Sequence, residues 1–382
     1  MGPKKPKVSL STRKTGQRIR QMAHVARYGR PRTHGICAVP TMSARTLPEE
    51  FMRTIPAPPL LTEQSAGIVL RCPACGTIKC ESPQQPFAVG ADTVVCRNCS
   101  FYMTRNRGIW QALPAERKKH FEQFMLEYEQ VRKAEGRGST SSEYYLALPF
   151  RDLSGHNSWQ WSIRTRTHLY IVRNILPTLH RKKDESLKVL DLGAGNGWLS
   201  YRLAALGHTP TAVDLLTNEF DGLGAGHHYG SALPELFPRF QAELDNLPFA
   251  SDQFDCAIFN AAFHYSENYE RTLSEAMRCL RPGGTIIIAD SPTYSGESDG
   301  FQMVVERQEI FRRNFGFASN SLNSSEFLTP RRMLELAAKL QLEWKTHKIW
   351  YGFRWASRPL LARLKRRRDP SQFLVYTAQV KK

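Results

Sequence analysis

The chain has 382 residues, 41% of them apolar, and carries 53 Lys and Arg against 35 Asp and Glu, a net charge of +18. That length suits two domains and a tail; no apolar run of about 18 residues offers a membrane-spanning helix, and the start lacks the apolar stretch of a secretory signal. Eight cysteines occur, four of them as two CxxC pairs, which is metal spacing in a reducing, cytoplasmic compartment and not a disulfide framework.

The charge is uneven. Residues 1–41 hold ten Lys and Arg and no acid, leaving 43 bases against 35 acids from Met42 onward. Residues 1–66 read as a disordered basic tail followed by a proline-rich linker. Three readings of the tail stay open: a floppy or mis-assigned start, a basic arm for RNA, or an acid-free transit peptide.

Residues 67–110 alternate short β-type runs with turns around Cys72-Pro-Ala-Cys75 and Cys96-Arg-Asn-Cys99, with twenty residues between the pairs. Two such pairs can meet at one tetrahedral Zn²⁺, and four thiolates fill its coordination sphere, so the expected site is structural. Cys80 is the first substitute ligand. Zinc binding can supply about 10–16 kcal/mol of folding free energy to a module this small. Chelation is therefore expected to unfold the ribbon while leaving cofactor binding in the sheet domain largely intact. The segment LRCPACG…VVCRNCSFYMTRNRGIW resembles the zinc ribbon of an activator of tRNA methyltransferases. Modules of that kind bind RNA or hold a partner; packing on its own chain is the alternative.

Residues 111–182 read as a helical linker. Pro114 opens a helix with Phe121, Phe124, Met125, Tyr128 and Val131 at helical spacing and Gly136 as its stop. Trp161, Leu169, Val172 and Leu176 suggest a second helix ending near Pro177.

From about residue 183 the pattern changes. KVLDLG, TAVDL, FQAELD, FDCAIFNAAF and TIIIADSP read as strands, NGWLSYRLAAL and YERTLSEAMRCL as helices, and the latter is expected to close at RPGG. Strands alternating with helices imply a parallel α/β sheet covered on both faces. LEWKTHKIW and FLVYTAQVKK read as the last two strands, and FQMVVERQEIFRRNFG as a helix on the acceptor side.

VLDLGAGNG places Gly193, Gly195 and Gly197 in a strand-to-helix turn. A dinucleotide fingerprint needs a further glycine where Trp198 stands, and a phosphate loop needs a GK[ST] that is absent. Asp191 precedes the glycines, where a carboxylate repels a pyrophosphate and suits a cationic ligand; two unit charges at about 4 Å interact by about 4 kcal/mol at an effective dielectric of 20. S-adenosylmethionine carries an ammonium and a sulfonium and no phosphate. Asp214 closes the second strand, where a carboxylate can accept both ribose hydroxyls. Asp245 follows the third, placed to take the adenine amine, with Asn246 and Leu247 bordering the ring.

On VLDLGAGNG, AVDL, LDNLPF, FDCAIFNAAFHY and CLRPGGTIIIAD, residues 187–292 resemble a class I S-adenosylmethionine-dependent methyltransferase, near the branch that includes ubiquinone/menaquinone methyltransferases. The resemblance implies a Rossmann-like seven-stranded sheet with its last strand antiparallel, filling residues 183–382. It implies cofactor contacts from Asp191, Gly193, Ala194, Gly195, Asn196, Gly197, Asp214, Leu215, Asp245, Asn246, Leu247 and Asn260. Candidates for a base are His264, Tyr265 and Tyr294, with His264 the leading choice; Arg164 and Tyr145 are candidates to close the methionine end.

The acceptor stays open. A small or lipid-like molecule leads, because the [DNS]PP[YF] signature of exocyclic-amine methylation is replaced by Asn260-Ala261-Ala262-Phe263. RNA is the second reading, from the ribbon, the tail and the basic run near 363–368. A cofactor-binding scaffold without activity is the third. WASRPLLARLKRRR, 355–368, is a basic amphipathic segment suited to an anionic membrane or to phosphates, or else a solvated connection.

Overall fold

A computed structural model describes residues 67–78, 87–89, 92–179, 185–318 and 320–381. The expected tail and linker at 1–66 and Cys80 lie outside them. The described residues belong to one compact unit.

The chain first builds a cysteine module from β1 (Phe87–Val89), β2 (Thr93–Cys96), β3 (Tyr102–Asn106) and β4 (Ile109–Gln111). Its two CxxC turns share one backbone pattern. Cys72 N–H donates to Thr77 O at 2.7 Å and Gly76 N–H to Cys72 O at 2.8 Å; Cys96 N–H donates to Phe101 O and Ser100 N–H to Cys96 O, both at 2.8 Å. Gly76 and Ser100 close the turns in the left-handed conformation, at φ 77° and 61°.

α1 (Ala115–Ala134) follows Pro114, whose fixed φ and missing N–H suit a helix start. α2 (Ser142–Ala147) is capped by Ser141, whose hydroxyl accepts from Glu143 N–H at 3.2 Å. α3 (Ser158–Tyr170) widens into a π turn over Ile171–Ile175 and stops in a 3₁₀ turn at Leu176–Thr178, where the sequence places Pro177.

The main sheet then alternates strand and helix: β5 (Lys188–Leu192), α4 (Trp198–Ala205), β6 (Thr209–Asp214), β7 (Arg239–Gln241), β8 (Phe254–Asn260), α5 (Tyr269–Cys279) and β9 (Leu280–Ala289). β10 (Pro292–Thr293), α6 (Glu297–Phe315), α7 (Pro330–Leu340), β11 (Lys345–Lys348), α8 (Phe353–Ala356), α9 (Arg358–Leu364) and β12 (Gln372–Gln379) complete the chain. The spatial order β7-β6-β5-β8-β9-β12-β11 gives the expected seven strands. The first five run parallel, and β12 lies antiparallel to both β9 and β11. β5, β8 and β9 form the centre of the core, where Val189, Leu190, Ile258, Phe259, Ile287 and Ile288 are fully buried.

Two local expectations change. The third strand ends at Gln241, four residues short of Asp245, because the Gln241 side chain donates to Leu215 O at 2.8 Å and the chain turns there. RPGG does not separate helix from strand: β9 starts at Leu280, and Arg281 to Gly284 form a bulge between the Phe254–Leu280 and Cys256–Thr285 pairs.

The cysteine module is part of this sheet. β4 pairs in parallel with β7, Trp110 opposite Phe240 and Gln111 opposite Gln241, and Ala112 N–H donates to Gln241 O at 2.9 Å. What would be an open edge of the seven-stranded sheet is thereby covered.

Candidate cofactor and acceptor cleft

The glycine loop leaves β5 at its carboxyl end. Gly193 sits at φ 75°, and a Cβ there would lie 2.2 Å from the Cβ of Ala262. Only glycine lets the loop approach the end of β8 so closely. Gly193 and Ala194 N–H both donate to Val213 O, at 2.9 and 3.0 Å, which fixes the loop against β6.

A cleft of about 800 Å³ opens over this loop. Gly193, Ala194, Gly195 and Asn196 form its floor, with Asp214, Leu215 and Leu216 after β6, Ala242 and Leu244 after β7, and Asn260 to Ala262 after β8. The carboxyl ends of successive parallel strands thus converge on one opening, as expected of an open α/β sheet. Phe124, Tyr128 and Arg132 of α1 lie at four-residue intervals on one face and roof the cleft.

Asp214 accepts from Gly195 N–H and from Leu216 N–H, both at 2.8 Å, so its carboxylate is aimed before any ligand arrives. Burial pushes its carboxyl up to about 6, against the pull of those backbone donors. Asp221 pairs with Arg132. Arg164, from α3, also lines the cleft and stacks over Trp161 at 4.8 Å. It makes no ion pair with any described carboxylate. Burial, then Arg137 and Arg132, draw it down to about 10, so it is cationic at neutral pH.

Asp191 does not line the cleft. It is 1% exposed beneath the loop, where Oδ2 accepts from Ser200 Oγ at 2.7 Å and Oδ1 has no partner. Its carboxyl is pushed up to about 7, chiefly by burial, opposed by Ser200 and assisted by Asp214. Gly197 serves as the N-cap of α4.

The adenine group of residues is placed differently from the sequence expectation. Because β7 ends early, Asp245 is carried past the cleft and its carboxylate accepts from the Thr272 hydroxyl. Asn246 faces the cysteine module, and Leu247 is fully buried in the core. Ala242 and Leu244 take the positions beside the cleft instead. Tyr145 does not line it either; its hydroxyl donates to Ser139 O at 2.9 Å and Phe220 O at 2.7 Å.

A second cavity of about 670 Å³ adjoins the first, sharing Tyr128, Arg132, Arg164, Ala261 and Tyr265 and adding Ile163, His264, Asp290 and Phe373. His264 belongs here and not to the first cleft. Its Nδ1 lies 3.3 Å from Ser291 Oγ, and burial, then Arg307 and Arg164, lower it to about 3. The leading sequence candidate for a base thus lines the second cavity, where burial disfavours its protonated form. Tyr294 lies outside both cavities, packed edge-on against Phe327 at 5.8 Å.

The four cysteines gather as expected from spacing. Cys72, Cys75, Cys96 and Cys99 have all Sγ atoms within 4.8 Å of one another. Cys72–Cys99 and Cys75–Cys96 separations are 3.6 and 3.7 Å, close to the ~3.8 Å edge of a tetrahedron with metal–sulfur bonds of about 2.3 Å. The donor set and its size fit Zn²⁺.

Residues 190–288 match the family model described as a methyltransferase domain. Over residues 190–288 the sheet domain is similar to class I S-adenosylmethionine-dependent methyltransferases. Among curated relatives, a malonyl-[acyl-carrier protein] O-methyltransferase of Erwinia pyrifoliae is 31% identical over 110 residues, 29% of this chain and 39% of that protein. A ubiquinone/menaquinone biosynthesis C-methyltransferase of Allorhizobium ampelinum is 25% identical over 118 residues, 30% of this chain and 46% of that protein. The chain spans about two-fifths of the length of the curated relatives it matches. A solved 1,6-didemethyltoxoflavin-N1-methyltransferase of Burkholderia thailandensis aligns with 77% of this chain and 98% of its own, at 15% identity and a TM-score of 0.40. The methyltransferase match starts at Leu190, midway along β5, and stops within β9, so the cysteine module, α1 and α3 lie outside it. These outlying helices contribute Phe124, Tyr128, Arg132 and Arg164 to the cleft of the methyltransferase domain. Sequence reading missed the first three because their spacing is that of ordinary core packing.

Proposed function

We propose that the protein transfers the methyl group of S-adenosylmethionine to a small-molecule acceptor. The observation that carries this is the pair of adjoining cavities meeting at Ala261, Arg164 and Tyr265. The first offers carboxylates and one unpaired guanidinium, which suits a ligand ending in a zwitterionic amino acid. The second, lined by Ile163, Tyr265, Pro292 and Phe373 beside the first, is where an acceptor would sit.

In this reading Asp214 accepts the ribose hydroxyls, Ala242 and Leu244 border the adenine, and Arg164 receives the methionine carboxylate. Asp191 contributes through its field from below the loop. When bound, S-adenosylmethionine supplies a methyl already activated on a sulfonium. The chain's task is then positioning, worth up to ~7–11 kcal/mol. Phe124 and Tyr128 exclude water from above.

The four cysteines would hold a structural Zn²⁺ that folds the edge module onto β7. No described helix is long and apolar enough to cross a membrane. Phe353, Leu360 and Leu364 are nevertheless exposed beside Arg363, Lys365, Arg366 and Arg367, and α8 and α9 bury no residue. That combination of apolar and basic side chains supports peripheral contact with an anionic lipid surface.

The experiment is to incubate the full chain with methyl-labelled S-adenosylmethionine and fractionated extract. Label in small metabolites or lipid supports the reading. Label in RNA alone, or the absence of any transfer, contradicts it.

A further inference from the structure

We propose that the segment from Trp350 to Arg368 seats the protein on an anionic bilayer with the mouth of the second cavity against the lipid, and that the acceptor is an amphiphile drawn from that bilayer. The inference deepens the reading of the two cavities as cofactor and acceptor sites and rests on it.

The segment connects β11 to β12, and the strand register fixes where it lies. Lys348, at the end of β11, stands opposite Leu374; Phe373 stands opposite Pro292, and Tyr376 opposite Ile288 of β9. The connection therefore leaves and returns at the carboxyl ends of the parallel strands, the side on which both cavities lie.

Two contacts join the segment to the walls of the second cavity. Trp355 stacks on Phe373 at 5.2 Å, and Phe373 lines that cavity. The Arg354 guanidinium lies 4.7 Å over the ring of Trp159. The next residue, Gln160, also lines the cavity and is exposed, which marks the mouth. The mouth and the segment thus share one edge of the molecule.

The surface of the segment has the chemistry of a membrane face. Phe353 is 84% exposed, Leu364 72%, Leu360 62% and Trp350 60%. Leu360, Leu361 and Leu364 fall on one face of α9. Residues 350–368 carry seven Arg and Lys and no acid, and Arg354, Arg363, Lys365, Arg366 and Arg367 are exposed. An interfacial segment binds by placing apolar side chains at the level of the acyl chains and basic ones among anionic headgroups. Single-stranded nucleic acid is held by basic grooves and aromatic stacking, to which three exposed leucines add nothing, so the surface favours lipid.

The cavity suits such an acceptor. Ile163, Pro292 and Phe373 give it apolar wall, and Arg164, Ala261 and Tyr265 lie where it meets the cofactor cleft. The polar end of an amphiphile reaches that junction while its apolar remainder stays in the bilayer. There a lone pair on the polar end bonds to the methyl carbon, the carbon–sulfur electron pair stays on sulfur, and the acceptor's proton is released to water.

The test uses the full chain, vesicles of phosphatidylcholine with or without phosphatidylglycerol, and a triple variant, Phe353→Ser, Leu360→Ser and Leu364→Ser. Anionic vesicles should bind about tenfold tighter than neutral ones, or more, and brominated acyl chains should quench tryptophan fluorescence. The variant should lose the quenching, while an unchanged S-adenosylhomocysteine affinity in calorimetry establishes that it has folded. Vesicles re-formed from a total membrane-lipid extract and given methyl-labelled S-adenosylmethionine should take label into the organic phase, about tenfold more slowly with the variant. No vesicle binding, binding without quenching, an unchanged rate in the variant, or label confined to water-soluble products overturns the proposal. A short RNA bound more tightly than anionic vesicles overturns it in favour of nucleic acid, and a dimer that the variant dissolves overturns it in favour of a second copy. Label in water-soluble products leaves the cofactor and acceptor reading standing, whereas transfer to no fraction at all sinks that reading itself.

Discussion

Asn246 donates its side-chain amide to the Pro73 carbonyl at 2.6 Å, and its own side-chain oxygen accepts from the Arg71 guanidinium at 3.1 Å. Pro73 lies inside the first cysteine turn, and Ala242 and Leu244, on the same short segment as Asn246, line the cofactor cleft. The cysteine module is therefore tied to the cleft wall through five residues of chain. The sequence expectation that chelation spares cofactor binding is revised on this ground. Removing the metal, or substituting Cys96→Ser, should weaken S-adenosylhomocysteine binding by about tenfold, a coupling of about 1.4 kcal/mol. Calorimetry before and after chelation measures it; equal affinities would show the module to be energetically separate.

Gly193→Ala should abolish cofactor binding, because the new Cβ would meet Ala262 at 2.2 Å and the residue would be held at a positive φ. The expected loss of fold stability is about 1–3 kcal/mol. A thermal melt with and without S-adenosylmethionine reads both effects; an alanine variant that still shifts on ligand addition would contradict the packing argument.

Asp191 and Asp214 are pushed up to about 7 and about 6, in each case chiefly by burial. Raised carboxyls favour the protonated folded chain, so without ligand their contribution to stability is fully present below about 4 and is lost as pH rises through 6 to 7. A cationic ligand reverses that preference by favouring the ionised forms. The melting shift produced by S-adenosylmethionine should therefore be larger at pH 8 than at pH 5.5. A shift that is flat or larger at the acidic end would count against carboxylates acting on a cation.

Asp221→Ala should be strongly destabilising. It removes the closer of the two carboxylate partners of Arg132, in a pair whose side chains are 15% and 10% exposed, and leaves the guanidinium only Glu135 at 3.4 Å. Breaking such pairs typically costs about 3–5 kcal/mol. Chemical denaturation of the variant gives the value; a loss below about 1 kcal/mol would mean that solvent screens the pair.

Replacing Phe353, Leu360 and Leu364 by Ser should leave cofactor affinity unchanged and reduce flotation with vesicles containing anionic phospholipid. Wild-type protein that ignores such vesicles at low salt would remove the membrane reading of this segment.

How much of this was legible in the sequence depends on how local each signal is. β5, its glycine turn and Asp214 are visible because a strand with three large apolar residues, a glycine-rich turn and a strand-end acid are each written within a few positions. Asp245, Asn246 and Leu247 were misplaced because β7 is only three residues long, and nothing local marks its end at Gln241. The pairing of β4 with β7 joins segments more than a hundred residues apart, so no periodicity reports it. The stripe Phe124, Tyr128, Arg132 is indistinguishable in sequence from a core face, and its function as a roof follows only from the position of α1 above the loop.

The central claim is that the first cleft is built for a cationic adenosine compound without phosphate. Calorimetry of the purified chain against S-adenosylmethionine, NAD and ATP, repeated on Asp214→Ala, tests it most directly. Binding of S-adenosylmethionine alone, weakened about a hundredfold in the variant, as expected for losing two ribose hydrogen bonds to a charged acceptor, is the result the account predicts. Tight binding of NAD or ATP with none of S-adenosylmethionine, or an affinity that Asp214→Ala leaves untouched, would contradict it.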